Sequence, residues 1–298
     1  MLLSNPYSFD VSANLFAKKG SPYGSEQASI LNAEGFSHAK KIISAWPNYA
    51  ETPLRNLQGL AKAAGVASVH YKDESTRFNL GSFKPLGGAY AVHQCLMSEL
   101  AKINGDIEPA PADLLNGTYK ETVSKITVTA ATDGNHGRSV AWGAQLFGCR
   151  CVIFIHETVT PGRETAIASY GAEVRRNPGT YDDAVRTAQE TAQENNWHVI
   201  PDTSDGKIIE APRNVMQGYT LMAAEAIAQL PADVKPSHTF LQAGVGGMAG
   251  AMVAGIARYL NNVPVTLVVE PDSAACVMES IKTGKIEKIK LSRGVFIW

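Results

Sequence analysis

The sequence carries no surplus of either charge: Lys and Arg number 27, Asp and Glu 28, for a formal net charge of −1. A basic excess would suit nucleic acid or an anionic membrane surface, and neither is indicated. Cysteine is scarce. Cys95, Cys149, Cys151 and Cys276 do not frame a disulfide scaffold in a chain of 298 residues. Their spacing suits neither zinc nor a C-x-x-C redox pair, so free buried thiols in a reducing cytoplasm are the expectation. No apolar run is long enough to span a membrane. The opening MLLSNPYSFDVSANLF lacks the basic-then-apolar order of a signal peptide. Internal repeats and low-complexity tracts are absent. With 45% apolar residues, the chain can bury the core of one large domain or two ordinary ones. A small-molecule enzyme or binding protein is the class left standing.

What is present is alternation of strand and helix. Residues Phe36–Trp46 predict a helix, Leu54–Ala64 a short helix stopped by Gly65, and Ala67–Lys72 a strand. Lys84 opens a helix running toward Leu100, and Asn104–Tyr119 reads as a surface excursion. The clearest stretch follows: strand Lys125–Ala131, helix Gly137–Phe147, strand Arg150–Ile155, helix Arg163–Tyr170, strand Glu173–Arg176, helix Tyr181–Asn195 and strand His198–Ile200. Later come strand Thr239–Gln242, helix Gly247–Leu260 and strand Val265–Val269. Strands joined by helices of this length pair in parallel through right-handed crossovers. The expected fold is α/β, with two open, mostly parallel twisted sheets and flanking helices.

Three loops carry candidate chemistry. Gly81-Ser82-Phe83-Lys84 stands at a helix start, where the helix dipole and partial burial both disfavour a protonated lysine. A neutral amine is what Schiff-base chemistry requires, although a lone lysine there is ordinarily a solvated surface residue. Thr132-Asp133-Gly134-Asn135-His136-Gly137 follows a strand and precedes a helix, the position at which open α/β sheets bind ligands. Asn135 suits a phenolic ring oxygen and Asp133 a base; Asp, Gly and Asn are equally the residues of a simple turn. His136 is expected to pack or cap. Gly244-Val245-Gly246-Gly247-Met248 lies at another helix start, where backbone amides face an anion such as phosphate. It lacks the dinucleotide fingerprint and the Gly-Lys-Ser/Thr of triphosphate sites. Asp202 follows a strand end and either contacts a substrate amine or caps a turn; Glu270-Pro271 is simple geometry before proline. The order of a lysine, an asparagine loop and a glycine-rich anion loop fits one phosphate-bearing ring aldehyde.

At these residues the chain resembles the tryptophan-synthase-β type, fold type II, of pyridoxal-phosphate enzymes. Tyr71 to Phe78 (YKDESTRF), Ser82 to Val92 (SFKPLGGAYAV), Gln217-Gly218-Tyr219, Leu241 to Gly246 (LQAGVG) and Val269 to Asp272 (VEPD) resemble the diaminopropionate ammonia-lyase family, in order from about Phe36 to Cys276. The resemblance implies pyridoxal 5′-phosphate as cofactor, linked to Lys84, with Asn135 on the ring oxygen and Gly244, Val245, Gly246, Gly247 and Met248 around the phosphate. No metal is implied. It implies elimination of ammonia from D- or L-2,3-diaminopropionate, with Lys84 and Asp133 as bases on opposite faces and Asp202 holding the second amino group. A cytoplasmic homodimer acting on a small amino acid follows, with a discontinuous large domain (1–87 and 213–298) and a small domain (88–212). Relatives extend further at the C-terminus, with the stretch that completes the large domain and contacts the pyridine nitrogen. LSRGVFIW here suggests a truncated or frameshifted member with open sheet edges and an uncovered apolar face. A serine or threonine dehydratase and a non-catalytic remnant are the competing expectations.

Overall fold

A computed structural model describes residues 8–17, 21–105, 109–204 and 209–289. The terminal LSRGVFIW therefore lies outside the described residues. Two helices, α1 (Ser25–Ile30) and α2 (Ala33–Ser44), come first; Asn32 caps α2 by accepting from the Gly35 amide at 2.7 Å. The helix expected over Leu54–Ala64 is a strand and a helix: β1 (Leu54–Asn56) pairs antiparallel with β2 (His70–Lys72), and α3 (Gln58–Ala64) sits between them. Leu57 breaks the segment because its amide is taken by Val69, a long-range bond that local periodicity does not reveal. Helix α4 (Pro85–Ile103) starts directly after Lys84, with Pro85 in the first turn, where no amide is needed. The expected excursion contains α5 (Pro111–Leu115) and is followed by α6 (Lys120–Val123).

From there the alternation is as the sequence predicts: β3 (Thr127–Thr132), α7 (Asn135–Phe147), β4 (Arg150–His156), α8 (Pro161–Ala168), β5 (Glu173–Asn177), α9 (Tyr181–Asn195) and β6 (His198–Val199). The four strands form a parallel sheet in the order β5-β4-β3-β6. β3 and β4 are buried along almost their whole length, as strands covered on both faces must be. The longest helix, α10 (Glu210–Gln229), follows, then β7 (His238–Gln242), α11 (Gly247–Tyr259), β8 (Val265–Val269) and α12 (Cys276–Thr283). β7 and β8 form a separate parallel pair. Phe240, Val265, Val268 and Val269 on this pair are exposed. The architecture is α/β with parallel sheets and flanking helices.

One close approach fixes the site. Helices α4 and α10 meet where a Cβ on Gly218 would lie 1.8 Å from the Leu86 carbonyl oxygen and 2.7 Å from its carbon. Backbone cannot yield as a side chain does. Gly218→Ala is therefore expected to cost about 1–3 kcal/mol or more of stability, read as a lower midpoint in urea denaturation.

Candidate active site

The candidate loops all follow strand ends or open helices. β3 stops at Thr132, whose hydroxyl accepts from the Gly134 amide at 3.0 Å and the Gly137 amide at 3.1 Å. That closes the turn and sets Asp133 and Asn135 at the start of α7. β6 ends just before Asp202, and β7 leads through Ala243 into Gly244–Gly246 and then α11. Lys84 immediately precedes α4. These segments converge on one cleft of about 1030 Å³, counting space open to solvent. Its walls include Lys84, Asp133, Asn135, Asp202 and all of Gly244 to Met248, so every site residue read from the sequence lines the same cavity.

Lys84 is not the neutral amine expected of its position. Its Nζ donates to Asp202 Oδ2 at 2.7 Å, and both side chains are about 15% exposed. Burial lowers the lysine's proton affinity, as expected from its position, but the charge and hydrogen bond of Asp202, with the phenols of Tyr219 and Tyr181, together outweigh it and hold the group above its ordinary value. Asp202 is held below the usual carboxylate range: burial pushes it up, and His136 and the Lys84 ammonium reverse that. The ammonium is the steadier charge, since burial holds His136 below its own ordinary value. Asp202 thus pairs with Lys84, and neither caps a turn alone nor stands free. Asp133 is shifted upward, chiefly by burial, which suits a base that must accept a proton.

His136 packs, as expected: its Nε2 lies 2.7 Å from the Ile200 carbonyl oxygen. Glu270 does more than precede a proline. Its carboxylate accepts from the Val277 and Met278 amides at 2.9 and 2.8 Å, capping the first turn of α12. Sequence reasoning missed Tyr181, Arg163 and His156, which also line the cleft, while Gln242 enters it from the LQAGVG match. Arg163 donates to the Asp133 carbonyl at 3.0 Å and braces that turn. No local motif marks those three: Arg163 comes in on α8, Tyr181 at the start of α9 and His156 at the end of β4. Tyr219 also lines the cleft; the sequence drew notice to it only through the Gln217-Gly218-Tyr219 match.

The residues present fit a phosphate-bearing aldehyde. The Lys84 amine faces the cleft, and across it the first amides of the 13-residue helix α11 have no intrahelical partner. Gly246 has φ +87°, a conformation L side chains rarely adopt, and a Cβ there would also crowd Val277 Cγ2 at 3.2 Å. The turn is thereby kept bare for an anion. A family model described as pyridoxal-phosphate dependent enzyme matches residues 45–295. The chain belongs to this family. Among individual members of the family, the diaminopropionate ammonia-lyase of Salmonella typhimurium is 38% identical over 270 residues, 89% of this chain and 66% of the relative. That of Escherichia coli is 38% identical over 273 residues, 90% and 66% of the two chains. The crystal structure of the Escherichia coli diaminopropionate ammonia lyase in complex with an aminoacrylate-PLP azomethine reaction intermediate superposes with TM-score 0.80 at 35% identity, covering 93% of this chain and 68% of that one. The chain spans about two thirds of the length of the curated relatives it matches. Pyridoxal phosphate is the family's cofactor, and Lys84, Asn135 and the 244–248 turn line the cleft open to it.

Proposed function

We propose that the chain uses pyridoxal 5′-phosphate, carried on Lys84, to eliminate ammonia from 2,3-diaminopropionate. Addition of one water to the three-carbon remainder then yields pyruvate and a second ammonia. The observation that carries this reading is the convergence of the Lys84 amine, the bare Gly244–Met248 turn and two carboxylates, Asp133 and Asp202, on one cleft. When bound, pyridoxal phosphate supplies an electron sink for negative charge at the substrate Cα. Gly244 to Met248, at the start of α11, would hold its phosphate, and Asn135 would face its ring oxygen. A diamino acid brings two amines, and a pair of partly buried carboxylates suits it better than it would suit a hydroxy amino acid. Asp202 takes the second amino group once Lys84 has released it. The test against a serine or threonine dehydratase is pyruvate release from 2,3-diaminopropionate beside serine and 2-oxobutyrate release from threonine. Faster turnover of either hydroxy amino acid would sink the diamino reading, and cofactor absorbance without turnover would mark a non-catalytic remnant.

Both isomers are substrates in this reading, which needs a base on each face of Cα. Lys84 takes the proton from the L isomer and Asp133 from the D isomer. Asp133→Asn is expected to cut turnover of the D isomer by about 10²- to 10⁴-fold, the usual worth of a positioned base, and to spare the L isomer. Equal loss on both isomers refutes the division. The same reading carries a homodimer in the cytoplasm, with residues 1–87 and 213–298 forming a large domain and 88–212 a small one. Among the described residues no helix is long and apolar enough to cross a membrane.

A further inference from the structure

Tyr219 presents an anomaly that the proposed reaction does not use. Its side chain is 2% exposed, and its hydroxyl is buried without a hydrogen-bond partner. Leaving a buried hydroxyl unpaired costs stability, and native structures do so rarely. The placement is also built. A Cβ on Gly87 would fall 2.5 Å from Tyr219 Cε1 and 2.8 Å from Cζ, so α4 is left bare one turn after Lys84 to admit this ring. Phe83 meets the ring edge-on at 5.1 Å between centroids, and Lys84 Nζ lies 5.9 Å from its centre. The lysine amine therefore has a bonded carboxylate and the ring of an unpaired phenol as neighbours.

Asp202 and Tyr219 can serve opposite protonation states of that amine. An ionised carboxylate only accepts, so it holds the ammonium. A phenol oxygen is a neutral acceptor: it takes an amine N–H without favouring the extra proton, and so leaves the single lone pair of a neutral amine free. Burial first, and the Asp202 charge, push the phenol up to about 12 although Lys84 opposes them, so the phenol stays a neutral acceptor. Tyr181, the other phenol close to the amine, lines the same cleft and has no such unpaired buried hydroxyl. We propose that Tyr219 is a positioning residue: its hydroxyl receives the neutral Lys84 amine when the amine leaves Asp202, and aims its lone pair into the cleft. This rests on the reading that Lys84 carries the cofactor.

The experiment uses the full chain and pyridoxal phosphate itself as probe. Tyr219→Phe keeps the ring and removes the oxygen. Without added cofactor, the variant is expected to unfold at the same or a higher temperature, because it sheds an unpaired buried hydroxyl. The rise of visible absorbance after mixing with cofactor is expected to be about two- to tenfold slower, the kinetic equivalent of one neutral hydrogen bond. A packing role would move stability and capture downward together. An unchanged capture rate, or slower capture with a lower unfolding temperature, overturns the proposal. Borohydride reduction and mass spectrometry of the wild type locate the linked lysine. If no cofactor is found on Lys84, the underlying reading fails and the proposal falls with it. If cofactor is found there and capture is unaffected by the variant, only the role of Tyr219 fails.

Discussion

Replacing Lys84 with alanine is expected to lower pyruvate release from either isomer of 2,3-diaminopropionate by about 10³-fold or more, since it removes the anchor for the cofactor and one of the two proton acceptors together. Pyridoxal phosphate should still bind through the 244–248 turn and Asn135, but reduction with borohydride should no longer fix it to the chain. The same change leaves Asp202 without its ion partner, 2.7 Å away in the wild type. The sign with pH follows from both members of the pair. Asp202 is depressed on folding, so its contribution is present above an unfolded value of about 4 and is lost as pH falls through the folded one. Lys84 is raised, so its contribution is present below an unfolded value of about 10 and is lost as pH rises through the folded one. The stability difference between wild type and Lys84→Ala should therefore be widest between about pH 4 and pH 10 and narrow in acid. Urea midpoints across that range check it. Undiminished pyruvate release from the variant would remove the basis of the proposed reaction.

The parts of this site written in local sequence are the loops, and the parts that are not are their partnerships. β3, α7, β4, α8, β5 and α9 are legible because each is short, bounded by turn residues and of clear period. Helix α10 is the longest in the chain and is not legible in that way. Pro212, Asn214, Val215, Gln217, Gly218, Tyr219 and Glu225 are all buried on it, so no polar face alternates with an apolar one. β1 spans three residues, too few for a period, and exists because β2 pairs with it. The glycine-rich turn could be read as an anion site from its place between strand and helix. The state of Lys84 could not, because Asp202 stands 118 residues away in sequence. Burial and the helix start argue for a neutral amine, and neighbours brought in by tertiary packing, Asp202 first among them, reverse the sign. Tyr219 is likewise visible only as part of a motif until α4 and α10 cross at Gly87 and Gly218.

The same α10 closes a buried ionic network, and breaking it should cost more stability than any other single change considered. The Arg77 side chain is 0% exposed and makes six hydrogen bonds, to Glu74, Glu225, Thr52 and the Ala50 carbonyl. Lys72 adds a second cation, 2.5 Å from Glu225 Oε2, and the Tyr49 hydroxyl donates to Oε1 at 2.9 Å. Two cations thus balance two carboxylates out of water. Glu225→Gln leaves Arg77 and Lys72 facing Glu74 alone, and a buried charge deprived of its partner typically costs about 3–5 kcal/mol. Against a total stability of about 5–15 kcal/mol, that lowers the unfolding midpoint severely. The loss should also reach the cleft. Directly after Arg77 the backbone runs through Phe78 at φ 48° and Asn79 at φ 59°, both non-glycine residues in the left-handed region. Five residues beyond Asn79 stands Lys84. Phe78 is held in that conformation by Trp142 at 4.8 Å and Trp46 at 5.9 Å between ring centroids, and by the clamped arginine before it. Arg77→Met combined with Glu225→Leu removes one charge of each sign and should recover part of the stability lost in either single variant. It should not restore the rate at which cofactor is captured, because the turn leading to Lys84 has lost its clamp. Equal recovery of both would mean the network stabilises the fold without positioning the lysine. An unfolding midpoint unchanged in Glu225→Gln would mean that the pairing of these four charges contributes nothing.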